Sequence, residues 1–92
     1  MPTMLTTIKI SDFEEWKAMF DSDPPQAREH ATGWRVLRGV EDPNEVIVQV
    51  EFPSAELALD ARRRLLDSGV LERVRQVVSP PTVVDEADAV PR

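Results

Sequence analysis

Apolar and polar residues alternate along residues 3–10: Met4, Thr6, Ile8 and Ile10 share one face, and Leu5, Thr7 and Lys9 the other. That period predicts a strand. The spacing then turns helical, with Phe13, Trp16 and Phe20 in one stripe and Met19 beside it. Ser11 or Asp12 supplies the N-cap oxygen, and Glu14 and Glu15 sit where acids suit the positive helix end. Asp23, Pro24 and Pro25 interrupt this helix, because proline lacks the amide proton the ladder needs. The same residues can start a second segment over 26–31, with Asp23 as N-cap and Pro24 in the first turn. Thr32 and Gly33 close it, the glycine taking the left-handed cap position. A bent or offset first helix is the expectation.

The stretch 35–52 reads as two strands joined by a turn at Asp42, Pro43, Asn44 and Glu45. Proline pre-sets the backbone for the second position of a type I turn, and aspartate at the first can bond the turn backbone. With a loop of even length, Trp34, Val36 and Arg38 share a side with Ile47, Gln49 and Glu51. Leu37 and Gly39 then join Val46, Val48, Val50 and Phe52 under the helices. An odd loop or a bulge reverses the pairing, since one residue of slip flips every side chain. The mixed apolar and polar first set suits a wet, self-complementary contact with a second sheet.

Ser54 caps the next helix, whose apolar stripe is Leu57, Ala58, Ala61, Leu65 and Leu66, and Ser68 and Gly69 end it. Val70, Val74 and Val77, with Leu71 and Val78, predict a short third helix, stopped by Pro80 and Pro81. Residues 82–85 are expected as a last strand. The order is β-α-β-β-α-(α)-β: a ferredoxin-like α+β domain with an antiparallel sheet and helices on one face. One domain spans residues 1–92, with an ordered core over about 3–86 and an acidic tail at 87–92.

Composition narrows the chemistry. The 92 residues are 41% hydrophobic and 30% charged, and a chain this short buries only roughly 60–65% of its unfolded surface, so a second copy would help complete the core. The absence of cysteine excludes disulfides, thiolate metal sites and a cysteine nucleophile, and favours a cytoplasmic address. Residues 1–10 carry one basic residue, Lys9, and no apolar block, so a secretory leader is not expected. Nothing approaches the ~20 apolar residues of a membrane span. A net charge of −6 argues against nucleic acid and anionic lipid. The run Arg62, Arg63 and Arg64 spreads around a helix and reads as a solvated face.

Phe13, Glu14, Glu15, Trp16 and Lys17 with Phe20 and Asp21, then the run from Gly33 to Arg38, then Asp42, Pro43, Asn44, Glu45 and Val46 with Glu51 and Phe52, resemble the dimeric α+β-barrel superfamily. That group includes antibiotic-biosynthesis monooxygenases, stress-responsive barrel proteins and haem-degrading monooxygenases, and the likeness covers roughly residues 4–85. It implies two sheets facing across a dimer axis and a ligand pocket between the helices and the sheet of each subunit. Members of the group work with combinations of asparagine, tryptophan, tyrosine, arginine and histidine. This chain has no tyrosine, one histidine and one asparagine, Asn44, which the turn already explains. No family catalytic set carries over.

Each candidate residue has two readings. His30 is the one side chain whose unperturbed pKa lies near neutrality, hence the candidate for proton transfer; a histidine favoured by a helix C-terminus explains it as well. Trp16, Phe20 and Trp34 line an aromatic-binding pocket or simply pack. Arg38 with Gln49 and Glu51 grips a ligand's oxygens or forms a cross-strand or intersubunit salt bridge. No nearby serine, cysteine or second histidine suggests a triad or a metal cluster, and no cofactor is implied. Two functions stay open: a homodimer, joined by the open sheet face, that binds a small apolar or aromatic molecule or serves as an assembly module; or a cofactor-independent monooxygenase- or cyclase-like enzyme for a small aromatic or polyketide-type substrate. A cavity reaching His30 or Arg38 favours the enzyme; one filled by Trp16, Phe20 and Leu57 favours binding or assembly.

Overall fold

In β1 (Thr3–Lys9) every second side chain is buried, and Met4, Thr6 and Ile8 meet the interior as their spacing requires. The computed structural model describes residues 1–23 and 26–91. The order continues with α1 (Phe13–Ser22), β2 (Gly33–Arg38), β3 (Glu45–Glu51), α2 (Ala55–Ser68), a single 3₁₀ turn (Val70–Arg73) and β4 (Gln76–Val84). The strands form one antiparallel sheet in the order β2-β3-β1-β4, so this is the ferredoxin-like α+β fold. The Asp12 carboxylate accepts from the Glu15 amide at 3.1 Å and the Ser54 hydroxyl from the Leu57 amide at 3.2 Å, so both helices start at the expected caps. The core joins Met4, Ile8 and Ile10 of the first strand region to Trp16, to Val46, Val48, Val50 and Phe52, and to Ala58 and Ala61 of α2.

The segment 26–31 is not a second helix. Asp23 itself takes the left-handed cap of α1 (φ 46°, ψ 61°), and Gln26 is also left-handed (φ 52°), which no right-handed helix accommodates. Its bonds are turn bonds, Glu29 to Gln26 and Ala31 to Arg28. Asp23 does cap the segment as expected: its carboxylate accepts from the Ala27 and Arg28 amides, each at 3.2 Å. Gly33 is no left-handed cap but opens β2. The expected place of Pro24 in a first turn lies outside the described residues.

The third helix is also a correction. Past the 3₁₀ turn the chain enters β4 at Gln76, and Pro80 and Pro81 lie inside that strand. Proline is tolerated there because β4 is a sheet edge and its register against β1 shifts between Leu5 and Ile8, opposite the two prolines. Valine at 77 therefore pairs with Ile8 rather than extending a helical stripe.

The hairpin has the opposite parity to the one expected. The Gly39 amide donates to the Glu45 carbonyl at 2.9 Å, leaving a five-residue loop, 40–44. That odd length pairs Trp34 with Val50, Val36 with Val48 and Arg38 with Val46, all on the helix-covered face. Arg35 and Leu37 pair with Gln49 and Ile47 on the open face, which β1 continues with Thr3, Leu5, Thr7 and Lys9. The turn itself is as expected, with Glu45 N–H on the Asp42 carbonyl at 3.0 Å and Asn44 N–H on the Asp42 carboxylate at 3.0 Å. A Cβ on Gly39 would lie 2.5 Å from the Asp42 carbonyl oxygen. Gly39→Ala is therefore expected to cost about 1–3 kcal/mol, read as a lower midpoint in urea.

Candidate functional site

α1 lays its aromatic stripe over the sheet. Trp16 is buried, and its ring stacks on Phe20 with centroids 5.0 Å apart and 23° between planes. Beneath them is a cavity of about 70 Å³, walled by Met4, Thr6 and Ile8 of β1, Val48 and Val50 of β3, Met19, Leu65, and Val70, Leu71 and Val74 of the connection to β4. Asp23, Ala27 and Arg28 complete its lining.

Arg28 is the charged group of this site. Its side chain is only 8% exposed and lies between two rings, with the guanidinium carbon 3.7 Å from the Phe20 centroid and 4.6 Å from that of Trp34. One terminal nitrogen donates to the Phe20 carbonyl. The Asp23 carboxylate is 3.7 Å from Nε, beyond hydrogen-bond reach. Burial pulls the guanidinium below its ordinary pKa, against the opposing charges of Asp23 and Asp21.

A second space, a cleft of about 390 Å³, opens beside the start of α1 between Asp12 and Glu15 on one side and Arg73 and Arg75 on the other. Trp16, Met19 and Val74 belong to both linings, so these three side chains form the partition between cavity and cleft. Methionine, unbranched with three rotatable bonds, is the most easily moved of the three.

The residues singled out in the sequence fall in different places. Trp16 and Phe20 line the cavity, and Trp34 lies over Arg28 at its edge, itself 49% exposed. Arg38 is outside it: Nε donates to the Pro43 carbonyl at 2.9 Å and the guanidinium carbon lies 4.1 Å from the Phe13 centroid. Gln49 and Glu51 are on the other side of the sheet, in an open groove of about 430 Å³ with Met1, Thr3, Leu5 and Val84. The supposed cluster of Arg38, Gln49 and Glu51 does not form, because the hairpin parity puts Arg38 on the opposite face. Leu57 lines a separate gap under α2 with Phe52.

His30 is exposed on the surface turn, its Nε2 3.9 Å from the Glu29 carboxylate, away from the cavity. Its neighbourhood is an ion-pair network in which Arg64 of α2 reaches Glu29 at 2.8 Å and Asp60 at 3.0 Å. The hydrogen bond from Arg64 holds Glu29 below its ordinary value of 4.5, and chiefly that from Arg63 holds Asp60 below 3.8. Both carboxylates are depressed in the folded state, so what they contribute is present above those values and lost as the pH falls through the folded ones. Arg64→Met is expected to make the loss of stability below about pH 4.5 shallower, by a small amount because the groups are exposed, in urea titrations at pH 7 and pH 3.

Arg28 and Asp23 escaped the sequence reading as site residues. The signal available was the Asp23 cap, which fixes residues 27 and 28 against the end of α1, but the stacking of Arg28 on Trp34 depends on the hairpin register. Among the described residues no group of histidine, aspartate or glutamate side chains could hold a metal ion, and no helix is long and apolar enough to cross a membrane.

No protein-family model matches the chain, and no curated protein matches it. Solved structures do match. An inferred antibiotic biosynthesis monooxygenase from Bordetella bronchiseptica superposes with a TM-score of 0.63 over 97% of both chains at 17% identity. Rv0793 from Mycobacterium tuberculosis gives 0.53 over 96% of this chain and 100% of its own, at 18% identity. The chain shares their fold. At that identity the likeness extends to architecture, and the cavity beneath α1 has to be read from its own residues.

Proposed function

We propose that the protein is a homodimeric binder of a small, mainly apolar molecule, held between α1 and the sheet. The observation that carries this reading is the cavity wall, apolar on nearly every side, with polar chemistry confined to Thr6 and to Arg28 and Asp23. Ligand sites are commonly of that make-up, and displacing Met19 would add room from the adjoining cleft. Monooxygenase- or cyclase-like catalysis is the second reading, supported by the description of the Bordetella structure. Against it, neither His30 nor Arg38 reaches the cavity, and its described lining includes no histidine, tyrosine or asparagine. Dimerisation through the open face is supported by the mixture of Leu5, Leu37 and Ile47 with Thr3, Thr7 and Gln49 there.

The test is a thermal-shift and tryptophan-fluorescence screen of small aliphatic and aromatic compounds, with oxygen uptake followed for every binder. Saturable binding that raises the unfolding temperature supports the binding reading; a ligand at 100 times its Kd stabilises by about 2.7 kcal/mol. Oxygen consumption with a bound aromatic compound would move the assignment to the enzyme. A compound-independent unfolding temperature and unchanged fluorescence across the screen would sink both. A monomer by light scattering at micromolar concentration would remove the dimer.

A further inference from the structure

We infer that Arg28 makes the cavity selective for a small apolar carboxylate, whose charged end pairs with the guanidinium and whose hydrocarbon part lies against Trp16, Ile8 and Val48. This deepens the binding function proposed above and rests on it. Four observations converge. The Arg28 side chain is more than nine-tenths buried and forms part of the cavity lining. Phe20 and Trp34 both lie against the guanidinium, which limits its freedom before any ligand arrives. A guanidinium carries five N–H donors, and one terminal nitrogen donates to the Phe20 carbonyl.

The fourth observation concerns Asp23, the natural rival for an incoming anion. Its two oxygens already accept the Ala27 and Arg28 backbone amides at 3.2 Å, and it stands 3.7 Å from Nε. It is an ion-pair partner of the guanidinium at that distance, while its hydrogen bonds go to the turn. Burial holds the Arg28 pKa below its ordinary value, against the opposing effect of Asp23 and Asp21. A ligand carboxylate adds a second anionic partner and matches the fork with two parallel hydrogen bonds, which Asp23 at 3.7 Å does not make. A phosphate would bring more charge and a larger hydration shell into a space of about 70 Å³ with apolar walls. A hydroxyl brings no charge. At about 70 Å³ the cavity is tight for a branched aliphatic acid and for an aromatic ring alike, so each enters with Met19 turned toward the adjoining cleft.

The experiment compares isosteric pairs on the full chain: isovalerate with isovaleramide, and benzoate with benzamide, at pH 7. Binding is titrated by tryptophan fluorescence and by the side-chain Nε–H resonance of Arg28 in a ¹⁵N spectrum. The expected result is a preference of about tenfold or more for the acid in at least one pair, with the Arg28 resonance shifting on saturation. In Arg28→Met that preference should vanish, the acid losing more affinity than the amide, and Arg28→Lys should recover only part of it. Equal affinity for acid and amide in the wild-type protein would overturn the inference and leave the apolar binding reading standing. A preference that survives in Arg28→Met would also overturn it, placing the anion elsewhere, for example at Arg73 and Arg75. Failure of all four compounds to bind would overturn both readings for molecules of this size. Should Arg28→Met not fold, the wild-type pair comparison and the Arg28 resonance still decide.

Discussion

Replacing Phe52 with alanine is expected to destabilise the protein by about 3–5 kcal/mol, the range for truncating a buried aromatic side chain. Phe52 has no exposed surface and stands at the point where the end of β3 meets α2, with Ala27, Leu57 and Ala61 around the same narrow gap. Its amide also ties the chain start to the sheet by donating to the Pro2 carbonyl at 2.9 Å. Small neighbours cannot close over the void that the ring would leave, so both the transfer and the cavity contributions are felt. For a domain of this length each kcal/mol moves the unfolding temperature by roughly 4–8 °C, so a fall of roughly 15 °C or more is expected by calorimetry. Leu59 is half exposed on α2, and Leu59→Ala should change stability by no more than about 0.5 kcal/mol. A similar small effect for Phe52→Ala would mean that α2 is not packed on the sheet as described.

The features legible in the sequence were those decided within a few residues. Met4, Thr6 and Ile8 alternate and are buried; Asp12 and Ser54 accept the amides of Glu15 and Leu57; Asp42 holds its turn through both its carbonyl and its carboxylate. These are local bonds between near neighbours, and residue type selects them. The strand pairing of β2 was not legible in the same way. The turn at 42–45 is local, but the strands pair from Gly39 outward, so Val40 and Glu41 join the loop and make its length odd. Nothing in those two side chains announces this. The reading of 70–78 failed for a different reason: valines at 70, 74 and 77 satisfy a helical period, yet a β-branched side chain also suits an edge strand, and the prolines at 80 and 81 punctuate a helix but are accepted at a bulged edge. Position in the sheet, set by β1 far away in sequence, decides between them. The candidate site inherits this division. Trp16 and Phe20 followed from helical spacing, while Arg28 became a site residue only through contacts with Phe20 and Trp34 that join α1, the surface turn and β2.

The corrected register separates two substitutions that would otherwise have been equivalent probes of the dimer. Val36 faces Val48 beneath the helices and packs against the core, so Val36→Asp would bring a carboxylate among apolar side chains. A loss of about 2–4 kcal/mol is expected, growing as the pH rises and the charged form is demanded. The effect should appear in urea titrations at any protein concentration, since its origin lies within one subunit. Gln49 pairs with Leu5 and Arg35 on the open face and lines the groove with Glu51. Gln49→Asp should leave subunit packing within about 0.5 kcal/mol of the wild type, because the carboxylate can remain in water in the separated chain. In the proposed dimer a two-fold contact carries each substitution twice, and the new charge joins the Glu51 carboxylate on the same surface. Association should weaken by an order of magnitude or more, seen as monomer mass in light scattering at low micromolar concentration. An unchanged mass for Gln49→Asp would remove the open face as the contact. A fully folded but monomeric Val36→Asp would return the helix-covered and open faces to the arrangement an even-length loop demands.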